Sequence, residues 1–333
     1  MKLTIIGGGG LGHVSSAVAS STKENQVDLL TGHPDKWHHV VTATDPNGKQ
    51  YIGTINTISS NPSDVIPSAD IVLLCLPGYL IEETLLKIKP YLNSHTTIGS
   101  IVSSTGFFFQ AHRVLPEDTP LFGFQRVPYI SRVDNYGSSA FLLGYKKELA
   151  IAVEHYPDSE SLRRFIEKTF LTPTILLKSF FEAALSNSNP ILHTARLYTL
   201  WHNWDGSPYD HQIFFYKEWD IPSAQKLIDM DKEFFSLLKV LPVRDGVILP
   251  LLEYYESSDA QSLAQKISSI PAFLSITAPM VQQLQGWIPD FSSRYFTEDF
   301  PFGLKYIKDL ASEHNIPTPH IDQVLDWGLA KTR

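Results

Sequence analysis

Residues 1–17, MKLTIIGGGGLGHVSSA, read as a strand that turns into a helix. An apolar run over 3–6 meets Gly7, Gly9 and Gly12 at the spacing G-x-G-x-x-G, and Ala17 continues toward a second apolar pattern. Gly7 permits the tight turn, Gly9 leaves the backbone open to a pyrophosphate, and Gly12 lets the helix close on the sheet. The amino end of the helix offers unpaired N–H groups to the phosphates. The stretch predicts a dinucleotide site, with Gly10 and Leu11 inside the turn and Pro77, at the end of a later strand, joining it. Glycine-rich turns also occur in sheets that bind nothing, so the turn alone does not establish a function.

Outward from the turn, VDLLT at 27–31 reads as a second strand and GHPDKW turns the chain away, a βαβ opening. TDPNGKQY at 44–51 reads as a hairpin turn around Asn47-Gly48, followed by an alternating strand. DIVLLCLP at 70–77 is unbroken, as expected for a central parallel strand covered on both faces. A helix at 79–91 and a strand at 96–105 follow, with Gly106 opening a loop. Further strands are expected over 120–133 and 137–155, then a helix in SESLRRFIEKTF and a strand near 173–178. Beyond Lys178 the apolar period becomes helical, through SFFEAALSNSNPILHTARLYTLWHNW, IPSAQKLIDMDKEFFSLLKVL, VILPLLEYYES, DAQSLAQKI and FGLKYIKDLASEHN, with few strands between. The fold class is α/β: a Rossmann-type parallel-sheet domain over 1–177, then a mostly α-helical domain over 178–333. The cleft between them is the expected place for chemistry.

Composition narrows the partners. With 333 residues and 43% apolar content the chain can build two cores. A net charge of -8 without any dense basic block excludes a nucleic-acid footprint. The one cysteine, Cys75, excludes an internal disulfide and a thiolate metal cluster, and its place in ADIVLLCLPG predicts a buried, idle thiol. No metal site is expected. No apolar run approaches the roughly 18 residues of a spanning helix, and glycines stand where a signal-peptide core would run. A soluble cytoplasmic protein without a membrane partner is expected, and a homodimer is left open.

The end of the second strand bears on the cofactor form. An NAD site usually carries Asp or Glu there, whose carboxylate accepts from the ribose hydroxyls. Here Thr31 takes that place, Asp28 falls inside the strand, and His33 and Lys36 follow. A neutral hydroxyl with nearby cations tolerates a 2′-phosphate, which favours NADP(H) over NAD(H). Asp35 is the counterweight, because it reaches a ribose if the loop folds differently.

In the helical half, Ser188-Asn189-Pro190 marks a helix start, Asn189 as cap and Pro190 in the first turn. Asn189, His193 and Arg196 then lie three or four positions apart and project in similar directions. His193 is suited to exchange a proton beside a hydride-accepting carbon, and Asn189 to hold substrate or nicotinamide amide. A partly buried helix histidine that only hydrogen-bonds is the structural alternative.

ALSNSNPILHTARLY (184–198) and SRYFTEDFPFGL (293–304) resemble the carboxyl-domain signatures of the octopine/nopaline (opine) dehydrogenase family, among proteins with a 6-phosphogluconate-dehydrogenase-like C-terminal domain. GGGGLG matches that family's amino-terminal motif, and the similarity runs on to NIPTPHIDQVLDWG. The resemblance implies NADH- or NADPH-dependent joining of the amino group of an amino acid to an α-keto acid. It matches His193 to the catalytic histidine, Asp299 to its supporting aspartate and Asn189 to an active-site asparagine. An aspartate paired with one ring nitrogen fixes the tautomer; Asp299 at the favourable amino end of a helix is the plainer alternative.

Arg126, Arg132 and Arg294 are the candidates to bind substrate carboxylates, since a guanidinium makes two charge-assisted bonds to one carboxylate. Surface pairing is their alternative, and Arg196 is a second candidate to support Asp299. Tyr129 and Tyr216 either hydrogen-bond at the site or fill space. One departure is His193-Thr194-Ala195, where relatives have proline after the histidine. Two other readings compete: a ketopantoate-reductase-like 2-keto or 2-hydroxy acid oxidoreductase, for which no compelling lysine is placed, and a dinucleotide-sensing protein without turnover.

Overall fold

A computed structural model of the chain describes residues 1–332. The chain divides into two compact units, Met1–Ala184 and Leu185–Arg333. The first unit therefore takes in the short helix Phe180–Ala184, whereas the sequence puts the change at 177/178; that helix packs on the first unit's sheet and buries Ala183 against it.

The first unit is built on eleven strands: β1 (Lys2–Ile6), β2 (Gln26–Leu30), β3 (Val40–Thr44), β4 (Gln50–Ser59), β5 (Ile71–Leu74), β6 (Thr97–Ser100), β7 (Leu121–Phe124), β8 (Tyr129–Asn135), β9 (Ser139–Tyr145), β10 (Leu149–Glu154) and β11 (Thr174–Leu176). They form one sheet in the order β11-β10-β7-β6-β5-β1-β2-β4-β3-β9-β8. Its middle six, β4-β2-β1-β5-β6-β7, are all parallel and reproduce the Rossmann order 3-2-1-4-5-6. Outside them the sheet is mixed, with β8–β9 an antiparallel hairpin at one edge. Alternation sends Leu3, Ile5, Ile71 and Leu73 to one face and Ile6, Val72 and Leu74 to the other, so the central strands are apolar throughout. Burying each such side chain fully contributes about 1.5–3 kcal/mol.

Helices α1 (Gly10–Ser20), α2 (Gly78–Ile88), α3 (Phe107–Val114), α4 (Ser159–Phe170) and α5 (Phe180–Ala184) cover those faces. The segment after Gly106 is thus helix, not loop. Phe107, Phe108, Ala111 and Val114 recur at helical spacing and are buried, and Gly106 at φ 80° turns the chain into them.

The second unit holds α6 (Asn189–Trp201), α7 (Ile221–Leu238), α8 (Leu251–Tyr254), α9 (Ala260–Ser269), α10 (Arg294–Thr297), α11 (Lys305–Glu313) and α12 (Pro319–Lys331). VILPLLEYYES shortens to the single turn α8, between Pro250 at its cap and Glu256 at φ 51°. A two-stranded hairpin, β12 (Met280–Gln283) with β13 (Gly286–Pro289), interrupts the helices, its turn made by Gly286 at φ 136°. Among the described residues no helix is long and apolar enough to cross a membrane.

Asp231, buried on α7, accepts the backbone N–H of Leu251 at 2.9 Å. Burial pushes its carboxyl up to about 6, against the Leu251 bond. An unfolded aspartate titrates near 4, so the folded chain binds a proton in that window which the unfolded chain releases, and stability falls as pH rises toward and through about 6. Asp231→Asn keeps an acceptor for Leu251 and removes the buried charge. Relative to wild type it is expected to gain on the order of 2–3 kcal/mol at pH 7.5 and little at pH 4, by urea melts. An equal difference at both pH values would contradict this.

Candidate active site

Two sites emerge, one in each unit. The first is the turn between β1 and α1. Gly7 sits at φ 128°, and a Cβ there would lie 2.5 Å from the Cys75 carbonyl oxygen; a Cβ on Gly12 would overlap the Gly7 carbonyl. Only glycine lets strand and helix come this close. A Cβ on Gly9, which caps α1, would meet nothing within 4 Å. Open backbone at a helix amino end fits the pyrophosphate of a dinucleotide. Leu11 packs against the sheet core and Pro77 caps α2.

At the end of β2, Thr31 is buried, continues the pairing with β4 through Ser59 and accepts the His33 N–H at 3.5 Å. His33 and Lys36 are exposed around a 3-10 turn, Pro34–Lys36. Asp28 is occupied within the sheet: one carboxylate oxygen accepts Asn56 Nδ2 at 2.8 Å and the Thr57 N–H at 2.9 Å.

The second site lies on α6. His193 donates from Nδ1–H to Oδ2 of Asp299 at 2.8 Å, and its Nε2 accepts the Tyr216 hydroxyl at 2.9 Å. An ionised carboxylate only accepts, which assigns the ring proton to Nδ1 and leaves Nε2 as the basic nitrogen. His193 is 9% exposed, and its ring packs against Tyr295 and Phe215, with centroids 4.7 and 5.6 Å away. Burial first, then Tyr295, Tyr255 and Asp299, pushes the Tyr216 phenol above its ordinary range, so it stays a neutral donor.

Close packing brings Asp299 to His193. Asp299 precedes a π-helical turn, Phe300–Leu304, an element that often marks functional sites. A Cβ on Gly303 in that turn would lie 2.5 Å from Cγ of Pro190, at the start of α6. Gly303 and Pro190 thereby allow the two quoted signatures to touch.

The other expected residues divide. Asn189 is exposed, is the first residue of α6 and follows the cap Ser188; its N–H donates to Asn187 Oδ1 at 3.2 Å. Arg196 does not support Asp299. The residue is 1% exposed, and its guanidinium donates to the carbonyls of Phe215 (3.2 Å) and Glu218 (2.6 Å), to Ser223 Oγ (2.8 Å) and to Asp220 (3.3 Å). It thus anchors the segment that carries Tyr216. Arg294 already places both arms of its fork on Glu298, at 2.8 and 3.0 Å. Arg126 and Arg132 are exposed in the first unit, Arg132 on β8. Tyr129 is buried and donates to the Phe170 carbonyl, a packing role. The place of Tyr216 beside His193 has no local sequence signal, and neither has the burial of His13. On α1, His13 is 2% exposed between the Gly9 carbonyl and the Gly137 N–H.

A Rossmann sheet with an open glycine turn, together in one chain with a helical unit that holds an imidazole on a carboxylate, defines a nicotinamide-dinucleotide-dependent dehydrogenase. Residues 176–332 match the defining pattern of the NAD/NADP octopine/nopaline dehydrogenase alpha-helical domain. Tauropine dehydrogenase of Arabella iricolor is 26% identical over 365 residues, 98% of this chain and 90% of the relative. Octopine dehydrogenase solved with NADH and L-arginine superposes with a TM-score of 0.88 at 24% identity, over 99% of this chain and 89% of that one. Yersinopine dehydrogenase with NADP+ bound gives 0.73 at 12%, over 99% and 90%. Residues 176–332 carry the octopine/nopaline dehydrogenase alpha-helical domain, and the chain is similar over nearly its whole length to tauropine, opine and octopine dehydrogenases.

Proposed function

We propose that the chain joins the amino group of an amino acid to an α-keto acid by reductive condensation, with NADPH the favoured reductant. The reading rests on His193, an imidazole fixed by Asp299 and presenting Nε2 to a hydroxyl. Amine and keto acid lose one water to form an imine, and one hydride and one proton then complete a secondary amine. The reduced nicotinamide, when bound at the glycine turn, supplies the hydride. His193 takes and returns protons at Nε2 as the amine attacks and the hydroxyl leaves, while Asp299 holds the ring in one tautomer. Tyr216 extends that proton line by its hydroxyl.

Arg126, Arg132 and Arg294 are the proposed carboxylate clamps, and Asn189 a substrate contact at the start of α6. Because Glu298 holds Arg294, a substrate carboxylate binds there by exchanging with it. The preference for NADPH follows from neutral Thr31 at the end of β2, from an Asp28 carboxylate committed to Asn56 and Thr57, and from exposed His33 and Lys36. A cytoplasmic setting suits the buried Cys75, whose thiol burial pushes up to about 12.

A matrix of amino acids against α-keto acids, assayed with each reduced cofactor and with products weighed by mass spectrometry, tests both parts. Amine-dependent oxidation that yields a secondary amine carrying both substrate skeletons is expected. Amine-independent oxidation would instead identify a simple 2-keto acid reductase. At equal low concentrations, a preference for NADH of about tenfold, near 1.4 kcal/mol, would overturn the choice of NADPH.

A further inference from the structure

The G-x-G-x-x-G spacing accounts for three glycines of GGGGLG and leaves Gly8 and Gly10 unexplained. Both face the β8–β9 hairpin. A Cβ on Gly10 would press on Ser131 of β8, 3.2 Å from both its carbonyl oxygen and its Oγ. A Cβ on Gly8 would lie 2.6 Å from the Tyr136 hydroxyl and 3.1 Å from Oγ1 of Thr31. The two extra glycines make room for the hairpin, whose tip carries a phenol to the end of β2.

That tip is fastened from two sides. His13 on α1 donates from Nδ1–H to the Gly9 carbonyl at 2.9 Å and accepts the Gly137 N–H at Nε2 at 2.7 Å. The Gly137 carbonyl accepts the His38 N–H at 2.9 Å from the β2–β3 connection. The rings of Trp37 and Tyr136 pack on His13, with centroids 4.1 and 5.1 Å away. Tyr136 is nevertheless 41% exposed. A held side chain that keeps an open face is suited to touch a ligand.

In this fold the pyrophosphate lies on the first glycine turn and the adenosine ribose at the end of the second strand. We infer that the β8–β9 tip is a third wall of the dinucleotide site, where the Tyr136 hydroxyl and Thr31 Oγ1 together read the 2′ position of the adenosine ribose. Two neutral hydroxyls donate to a 2′-phosphate, where a carboxylate would repel it. The inference deepens the proposed function and rests on its placement of a dinucleotide at the glycine turn.

Calorimetric titration of wild type and Tyr136→Phe with NADPH, NADH, 2′,5′-ADP and 5′-AMP tests it, since phenylalanine keeps the ring packing and removes one hydroxyl. Loss of a bond to a charged phosphate is expected to weaken NADPH and 2′,5′-ADP about tenfold, against less than about threefold for NADH and 5′-AMP. Gly8→Ala, which displaces the phenol, is expected to shift the ratio the same way. An NADPH-to-NADH affinity ratio unchanged by Tyr136→Phe overturns the assignment, whether both affinities hold or both fall together. A wild type that prefers NADH overturns only the choice of NADPH, because the shift caused by the variant is read independently. Failure of wild type to bind either nucleotide overturns the placement at the glycine turn and this inference with it.

Discussion

His193→Asn is expected to lower kcat by about 100- to 10,000-fold while leaving cofactor affinity within about twofold of wild type, the range found when a general acid–base group is removed. Asparagine can still donate to Asp299, so the pocket keeps one of its two bonds and loses only the titratable nitrogen. Asp299→Asn is the companion variant. It leaves the ring in place but replaces an acceptor-only carboxylate with an amide that can also donate to Nδ1, so the tautomer is no longer fixed and the variant is expected to be impaired as well. If the two residues act as one unit, the double variant falls no further than His193→Asn alone. Wild-type turnover by His193→Asn, measured with the true substrate pair, would remove the imidazole from the mechanism. Additive losses would separate Asp299 from it.

Much of the first unit was legible because its signals are local. The glycine spacing, the unbroken 70–77 run and the Asn47-Gly48 turn each dictate a conformation through their own residues. The helix over 107–114 is not legible in the sequence because it has no side-chain cap; Gly106 supplies the turn and the helix is held by burying Phe107 and Phe108. In the second site His193 is legible from its helix, but its pairing with Asp299 only through family resemblance. His193 and Asp299 are 106 residues apart, and nothing in either segment alone shows that Gly303 packs on Pro190. Tyr216 is a candidate in the sequence, but its choice over Tyr129 is not legible there, because its partner is fixed by tertiary packing around Arg196.

Arg196 is where the largest loss of stability is expected. Its four partners are unequal. Asp220 is a half-exposed carboxylate at 3.3 Å, and such pairs contribute about 0–1 kcal/mol. The Ser223 hydroxyl keeps Thr199 Oγ1 at 2.6 Å, but the Phe215 and Glu218 carbonyls lose their guanidinium donor, and each buried acceptor left unsatisfied costs about 1–3 kcal/mol. Burial lowers the guanidinium pKa, opposed by Asp220 and Glu218. Arg196→Met, close in volume, is therefore expected to lower Tm by on the order of 10 °C. It should also lower kcat, because the freed 215–223 segment carries the hydroxyl that meets His193. Arg196→Lys should recover little, since one ammonium cannot span acceptors that a planar fork reaches together. Asp220→Asn separates the two terms: asparagine still caps α7, so its stability should stay within about 1 kcal/mol of wild type. A large loss from Asp220→Asn with a small one from Arg196→Met would reverse the order, making the ion pair, and not the buried carbonyls, the anchor of Tyr216.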